Sequence, residues 1–277
     1  MMITLRKNLG DIIIFVILLF ALLIFVGPFI WMVLSSIKPQ IEIISIPPTL
    51  LPQTVTFEHY ARVFQTIPIV RYYLNSLFLS VTRTSLIVFT STIMGYVLAK
   101  YNFRFKNLIF MVVMGTMMLP FALTMIPVFM TVALLGWVDS YKALIIPGMF
   151  SSFGIFLMRQ AMYSFPSELR EAARIDGCGE FKIFFQIVIP LSKAPMAALA
   201  ILVFMETWDE FFWPLIVLQS SDKFNIPLGL ASLASEHSMD FGLIMAGATI
   251  SVLPIIIVFF FAQKHFIASI SIAGIKG

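Results

Sequence analysis

Three charge-free stretches, each long enough to cross a membrane, constrain this chain more than any other feature. They cover residues 12–37, 107–138 and 241–263. A helix needs about 20 residues to cross the roughly 30 Å hydrocarbon core of a bilayer. Hydrophobic residues make up 60% of the chain and charged residues 12%, whereas soluble domains are about 45–50% apolar and about 25% charged. The sequence therefore predicts an all-α membrane protein, because lipid solvates the surplus of apolar side chains.

Three further apolar stretches contain or adjoin isolated charges, and including them predicts six transmembrane helices. The expected spans cover about 12–36, 73–99, 107–131, 141–163, 194–217 and 241–263. The N-terminal stretch is longer than the apolar part of a signal peptide and lacks a small-residue cleavage pattern, so it is interpreted as a retained first span. Pro120 and Pro127 predict a bent or partly unwound third span, because proline lacks a backbone donor.

The basic residues are distributed unevenly over the loops between these spans. Six spans place both termini on one side, which then carries twelve lysines and arginines against five on the other. Because cytoplasmic loops collect basic residues, both termini are predicted to be cytoplasmic. Residues 38–71 are then an external loop with a short helix at about 57–65, residues 164–192 a cytoplasmic loop, and residues 267–277 a cytoplasmic tail.

The predicted cytoplasmic loop 164–192 reads as two short helices joined by a glycine hinge. Gly177 can adopt the left-handed conformation that ends a helix, and a second helical piece is expected from about Glu180 to Pro190. Four residues of the first piece fall at i, i+3, i+4 and i+7 and so share one face: Leu169, Ala172, Ala173 and Asp176. Two alanines on that face would let the backbone of another protein approach closely.

The spacing in this loop resembles the signature of permeases in binding-protein-dependent ABC importers. That signature reads Glu-Ala-Ala, three residues, Gly, nine residues, Ile, one residue, Leu-Pro, and this chain departs from it only at Ile189. The resemblance implies that the loop forms a coupling helix that docks into a cleft of a separate ATPase. The residues expected to couple to that ATPase are Glu171, Ala172, Ala173, Asp176, Gly177, Ile187 and Pro190.

Other motifs resemble the carbohydrate branch of the same family, especially the six-span permease of maltose-type importers. They lie at 75–77, 95–100, 118–120, 126–127, 208–211 with Pro214, and 273–277. The resemblance implies type I importer architecture in a prokaryotic inner membrane. It also implies three partners, namely a second, different permease, a dimer of ATPase subunits and an extracytoplasmic binding protein. The ATPase would use ATP and Mg, and it would contact the C-terminal tail of this chain at Gly274, Lys276 and Gly277.

Charged residues inside the predicted spans point to a transport pathway, because buried charges are costly and usually face a bundle interior or a partner charge. Arg83 lies about 15 Å deep in the second span and is predicted to pair with Glu206 or Asp209 of the fifth. Glu206, Glu210 and Trp213 fall at i, i+4 and i+7, and they are predicted to share one face of the fifth span, with Asp209 beside them.

Carboxylates beside an indole suit sugar recognition, because the oxygens accept hydroxyl hydrogens and the indole stacks on the sugar ring. A solvated outer vestibule or a contact with the partner permease would use the same residues, and a purely structural role is favoured for Arg83. The candidate substrate pathway comprises Asn75, Arg83, Glu206, Asp209, Glu210 and Trp213.

Several functions are not supported by any motif. No G-x-x-x-x-G-K-[ST] pattern occurs, so a separate subunit is expected to hydrolyse ATP. The three histidines are scattered and suggest neither a metal site nor catalysis, and the net charge of +4 does not require nucleic acid. The same architecture could import glycerol phosphate, an amino acid or a polyamine, and a secondary transporter or channel is a more remote alternative.

Overall fold

The computed structural model describes the backbone of residues 2–274 and the side chains of residues 10–260. Every regular element in this part of the chain is helical, which confirms the all-α prediction. A π-helical turn, Phe184–Val188, joins α10 to α11, and a 3-10 turn, Ser221–Lys223, precedes α14. The α-helices are α1 (Met2–Ser36), α2 (Gln40–Ile43), α3 (Glu58–Thr66), α4 (Ile69–Lys100), α5 (Lys106–Met117), α6 (Phe121–Leu134), α7 (Tyr141–Ile145), α8 (Ser152–Tyr163), α9 (Glu168–Ile175), α10 (Glu180–Ile183), α11 (Ile189–Leu191), α12 (Lys193–Trp208), α13 (Phe212–Val217), α14 (Ile226–Glu236) and α15 (Phe241–Gly274).

Three stretches of helix in the described chain are long and apolar enough to cross a membrane unaided: Gly10–Ser36, Ile69–Lys100 and Phe241–Phe260. They match the first, second and sixth predicted spans. Two bent pairs of helices, α5 with α6 and the helices of 180–191 with α12, would raise the number to five if each pair were one span. The remaining predicted span, 141–163, is not one helix, because α7 and α8 are separated by residues 146–151.

The chain divides into two compact units, of which the first contains the residues up to Ile69 together with Leu230–Leu253. Its loop after α1 is ordered by hydrogen bonds. The buried His59 ring bonds through Nε2 to the carbonyl of Lys38 at 2.9 Å, and Ser36 bonds to Tyr60 at 2.7 Å. Arg62 pairs with Asp240 at 2.6 Å. The short helix predicted at about 57–65 is present as α3.

The second unit contains Val70–Gly229 and the residues from Pro254 on, and proline interrupts its helices. Met118–Pro120 separate α5 from α6, and the two helices meet at 102°, as the predicted bend in the third span requires. Pro127 lies inside α6 without ending it. In the predicted fifth span, α12 ends at Trp208 and α13 begins at Phe212. The residues from 206 to 213 therefore do not share one helical face, and that prediction is wrong.

Small residues let α4 and α8 pack with their backbones close together. A Cβ atom at Gly95 of α4 would lie 2.7 Å from the Cβ of Met158 and 2.9 Å from the backbone nitrogen of Arg159. A Cβ at Gly154 of α8 would lie 2.4 Å from the Oγ of Ser91. Small residues at such crossings are typical of membrane helices, whose association depends on close packing.

We expect Gly95→Ala to destabilise the protein, because the new methyl group meets backbone that cannot rotate away. The loss should be about 1–3 kcal/mol, as for other overpacked sites. Gly115→Ala in α5 is the matched control, since nothing lies within 4 Å of the position its Cβ would occupy. Because alanine favours the helix more than glycine does, Gly115→Ala should raise the free energy of unfolding by up to about 1 kcal/mol. Thermal unfolding of the two purified variants in detergent measures both changes in stability. Equal unfolding midpoints for Gly95→Ala and Gly115→Ala would contradict the close packing of α4 and α8.

Candidate functional site

An open cavity of about 600 Å³ lies where three interruptions between helices meet. Its walls come from the first turn of α6, from the segment between α7 and α8, from the end of α12 with the segment before α13, and from the middle of α4. Irregular backbone at membrane depth is tolerated where it is buried in protein or lines a water-filled cavity. The interruptions therefore make this cavity the candidate functional site of the second unit.

Pro147 interrupts the chain after α7, and Trp213 supplies the hydrogen bond that the interruption removes. Proline cannot donate a hydrogen bond to the carbonyl four residues earlier, which here belongs to Ala143. The indole Nε1–H of Trp213 donates to that carbonyl instead, at 2.9 Å. Trp213 is only 4% exposed. The prediction that its ring stacks on a substrate is therefore not supported, because packing and this hydrogen bond occupy the indole.

The interruption between α12 and α13 follows the same rule. Pro214 leaves the carbonyl of Glu210 without its helical donor. The side chain of Asn225 supplies one, since its Nδ2 donates to that carbonyl at 2.6 Å. The chain thus turns at Asp209–Phe211 with its backbone satisfied, and the side chains of Asp209 and Glu210 line the cavity.

Arg83 forms an ion pair with Glu210 across the cavity wall. Both groups are largely buried, with 12% of the Arg83 side chain and 25% of the Glu210 side chain exposed. Gly148 leaves room for the guanidinium, because a Cβ there would lie 2.7 Å from one of its nitrogens. The prediction of an intramembrane ion pair was right in kind but wrong in partner. The end of α12 at Trp208 turns Glu210, rather than Glu206 or Asp209, towards Arg83.

Glu206 and Asp209 are exposed in the cavity, and neither carboxylate forms an ion pair with any side chain the structure describes. Together with the Arg83–Glu210 pair they leave the lining with an excess of two negative charges. Ionised carboxylates only accept hydrogen bonds. The cavity therefore suits a ligand rich in hydroxyl or ammonium donors.

Asn75 does not line the cavity. Its amide donates to the carbonyls of Asp222 at 3.0 Å and Phe224 at 2.9 Å, and so holds the loop after α13 against the first turns of α4. Arg71 pairs with Asp222 in the same region at 3.0 Å. The placement of Asn75 in the substrate pathway is therefore not supported.

Asp139 fastens the loop after α6 to the loop after α13. It adopts a φ of 58°, a left-handed conformation that aspartate tolerates better than most residues. Its carboxylate accepts hydrogen bonds from the Nζ of Lys223 at 2.7 Å and the hydroxyl of Ser220 at 2.5 Å. The bond from Lys223 holds the pKa of Asp139 well below its usual range. Two connecting segments are therefore held together beside the start of α4.

The loop 164–192 lies at the other end of α4. Lys100 donates to the carbonyl of Phe165 at 2.5 Å. Glu180 pairs with Arg170 at 2.9 Å and accepts the hydroxyl of Tyr101 at 2.5 Å. Arg170 also lies 4.1 Å from the centre of the Tyr101 ring, so the two short helices of the loop are tied to each other and to α4.

Gly177 ends α9 as predicted. Its φ is 77°, and two hydrogen bonds close the helix: Gly177 N–H to the carbonyl of Arg174 at 3.0 Å, and Cys178 N–H to that of Ala173 at 2.9 Å. This is the Schellman arrangement, which requires a left-handed residue after the helix. Ala173 and Cys178 both pack in the hydrophobic cluster that contains Ile183 and Phe184. Such a hydrophobic contact commonly accompanies the Schellman motif.

The structure separates the residues of the coupling signature into two groups. Ala173 is 7% exposed and packs within its own chain, so of the two alanines only Ala172 is exposed in this structure. Ile187 is half-buried in the same cluster. The exposed group comprises Glu171, Ala172, Asp176, Gly177 and Pro190. Of the predicted tail residues, Gly274 ends α15, while Lys276 and Gly277 lie outside the described residues.

Sequence reasoning missed Gly148, Asn225 and Asp139. Pro147 and Pro214 could have indicated Ala143 and Glu210 as carbonyls in need of donors. No local pattern identifies Asn225 as the donor, because it is fifteen residues from the carbonyl it reaches.

We expect Arg83→Gln to destabilise the protein by about 3 kcal/mol, at the lower end of the range for breaking a buried pair, because Glu210 keeps partial access to water. The double variant Arg83→Gln/Glu210→Gln should recover part of this loss, since no charge is then left unpaired. Glu206→Gln is the control and should change stability little. Unfolding of the unmodified protein, Arg83→Gln, Glu210→Gln and the double variant gives the coupling energy of the pair. A coupling energy of zero would contradict the ion pair.

The chain has clear relatives. The family described as binding-protein-dependent transport system inner membrane component matches residues 91–272. The arabinooligosaccharides transport system permease protein of Halalkalibacterium halodurans is 36% identical over 93% of this chain and 94% of its own length. The lactose transport system permease protein of Rhizobium radiobacter is 37% identical, over 96% and 97%.

A solved structure shares the fold. It is a bacterial ABC transporter involved in the import of the acidic polysaccharide alginate, and one of its chains superimposes with a TM-score of 0.82 at 26% identity. The alignment covers 94% of this chain and 98% of that chain. By sequence and by fold, this chain belongs to the family of inner membrane components of binding-protein-dependent transport systems.

Proposed function

We propose that this chain forms one half of the translocation pathway of an ABC importer for a sugar or oligosaccharide. The observation that carries the proposal is the cavity beside Arg83, with its two unpaired carboxylates, in a chain of this family. Hydroxyl groups of a passing sugar would donate to Glu206 and Asp209, while the Arg83–Glu210 pair keeps the wall intact. The names of the relatives, which refer to arabinooligosaccharides and lactose, support a carbohydrate as cargo.

The contacts at the two ends of α4 support the six-span topology with cytoplasmic termini. The loops 135–140 and 217–225 meet the start of α4, whereas the loop 164–192 meets its end. These ends lie about 48 Å apart, at 1.5 Å per residue over 32 residues. That distance exceeds the thickness of a hydrocarbon core. We infer that the first two loops are external and the third cytoplasmic.

The proposed coupling surface is the exposed side of α9. Glu171, Ala172 and Asp176 are exposed there, together with Ile175, which is 87% exposed. An exposed isoleucine beside small and acidic residues could insert into an apolar cleft of another protein, which would bury its side chain. The partner would be a dimer of ATPase subunits that hydrolyses ATP with Mg, and this chain would itself be non-catalytic. The C-terminal tail would add a second contact with the ATPase.

The remaining proposed partners follow from family membership. They are a second, different permease, which would complete the pathway, and an extracytoplasmic binding protein, which would deliver the cargo. The proposed location is the inner membrane of a prokaryotic cell, where this chain spans the bilayer several times.

Among other cargoes, a polyamine is the one that a specific observation favours. The excess of two negative charges in the cavity would attract a polycation as well as accept hydroxyl hydrogens. A glycerol phosphate or another anion would meet repulsion from the same carboxylates.

Uptake distinguishes these cargoes. In cells that lack this chain but keep its partner subunits, we expect loss of growth on one class of oligosaccharide and unchanged uptake of radiolabelled spermidine. Restoring the chain should restore that growth, whereas the Glu206→Gln/Asp209→Asn variant should lower oligosaccharide uptake severalfold. Loss of spermidine uptake with growth on sugars unchanged would instead identify a polyamine importer.

Coupling through α9 is tested by Ala172→Trp, which places a bulky ring on the exposed side of the helix. We expect normal insertion and unfolding behaviour, because Ala172 is exposed in its own chain, but at least tenfold less ATPase subunit recovered with the purified protein. Ser164→Trp, exposed in the same loop outside α9, is the control and should leave recovery unchanged. Recovery of ATPase with Ala172→Trp at the unmodified level would remove α9 as the coupling element.

A further inference from the structure

A second polar cavity lies at the end of α4 that carries Lys100, in the turn towards α5 and beside the end of α8. Its volume is about 240 Å³. The residues that line it are Asn102, Phe103, Arg104, Lys106, Asn107 and Tyr163. Two amides, two cations and a phenol hydroxyl thus face one small space, and no carboxylate is among them.

A third cation, Arg159, lies behind the lining residue Tyr163. Its Nη2 donates to the Oη of Tyr163 at 2.7 Å, and its guanidinium lies 3.6 Å from the centre of the Phe110 ring. Because the hydroxyl of Tyr163 accepts this bond, its own hydrogen remains available to donate into the cavity. Every polar side chain that lines the cavity can therefore donate a hydrogen bond to an anion.

The two arginines of this group differ from the other arginines whose side chains the structure describes, because they have no acidic partner. Among the side chains that the structure describes, no carboxylate forms an ion pair with Arg104, Lys106 or Arg159. All other arginines in the described range form such pairs. They are Arg62, Arg71, Arg83, Arg170 and Arg174. A cluster of unneutralised cations costs free energy through mutual repulsion, and an anion bound between them would remove that cost.

Apolar side chains continue from the cavity along α5. Phe103 and Phe105 are exposed beside the cations, and Leu108, Met111 and Val112 follow at i, i+3 and i+4 on one exposed face of α5. Aromatic residues next to lysine and arginine are typical of the boundary between a membrane and water. A soluble anion would make no favourable contact with these apolar side chains, whereas the acyl chains of a lipid would cover them.

We propose that this cavity binds the phosphate-bearing headgroup of an anionic phospholipid. The phosphate oxygens would accept hydrogen bonds from Arg104, Lys106 and Tyr163, and the acyl chains would lie along Leu108, Met111 and Val112. Basic pockets between membrane helices bind such headgroups by the same chemistry. The site lies away from the transport cavity and does not depend on what the protein imports.

The experiment uses the full chain, purified in a neutral detergent with the subunits that accompany it. Phosphatidylglycerol, phosphatidylcholine with the same acyl chains, and inorganic phosphate are titrated separately while the unfolding midpoint is recorded. Phosphatidylglycerol should raise the midpoint of the unmodified protein by about 3 °C or more, because a ligand that binds only the folded state stabilises it. The other two should not.

The variant Arg104→Gln/Lys106→Gln should lose this response, and native mass spectrometry should find one phosphatidylglycerol fewer bound to it. The charge-preserving variant Arg104→Lys/Lys106→Arg should keep most of the response. Lys182→Gln, which removes an exposed cation from the loop 164–192, should keep all of it.

Three results would each overturn the proposal. They are an unchanged response of the neutralised variant to phosphatidylglycerol, an equal response of the unmodified protein to phosphatidylcholine, and a midpoint rise with inorganic phosphate as large as with the lipid. The last result would identify a site for a free anion.

Discussion

The need to pair every backbone carbonyl where no water is available governs the second unit. Proline leaves two carbonyls without their helical donors, those of Ala143 and Glu210, and the side chains of Trp213 and Asn225 replace the missing bonds. An unpaired group in hydrocarbon costs several kcal/mol, so these two donors are what allow the helices to open. The cavity exists because the openings adjoin one another, and the side chain of Glu210 reaches Arg83 because α12 has ended.

Charge is arranged differently at three depths of the same unit. At the start of α4, ion pairs and hydrogen bonds of Asp139 and Asp222 tie loops together. In the middle, one buried pair stabilises a wall beside two carboxylates without partners. At the end of α4, Glu180 joins the two helices of the loop 164–192, while Arg104 and Lys106 remain unpaired. Fixed loops, an acidic cavity and a cluster of unpaired cations thus follow one another along α4.

The sequence predicted what depends on local chemistry and failed where distant residues decide. Gly177 was predicted to be left-handed because glycine adopts the conformation that ends a helix more easily than other residues do. The bend at Pro120 follows from the missing donor of proline. The partner of Arg83 was predicted wrongly because a periodic pattern continues through Asp209, whereas the helix stops before it. The burial of Ala173 could not be read from spacing, since α9 turns one alanine towards its own core and the other outward. The six-span count and the coupling contacts remain predictions.

In contrast to the broken helices around it, α4 is continuous from Ile69 to Lys100 and has no proline inside. Three loops are fastened to its two ends, 135–140 and 217–225 at the start and 164–192 at the end. One unbroken helix therefore links these loops. A tilt of about 5° around one end would displace the other by about 4 Å over its length of about 48 Å, which is more than a hydrogen bond can stretch. Under the proposed coupling through α9, a displacement of that helix would therefore be transmitted to the loops at the far end of α4 by one continuous backbone.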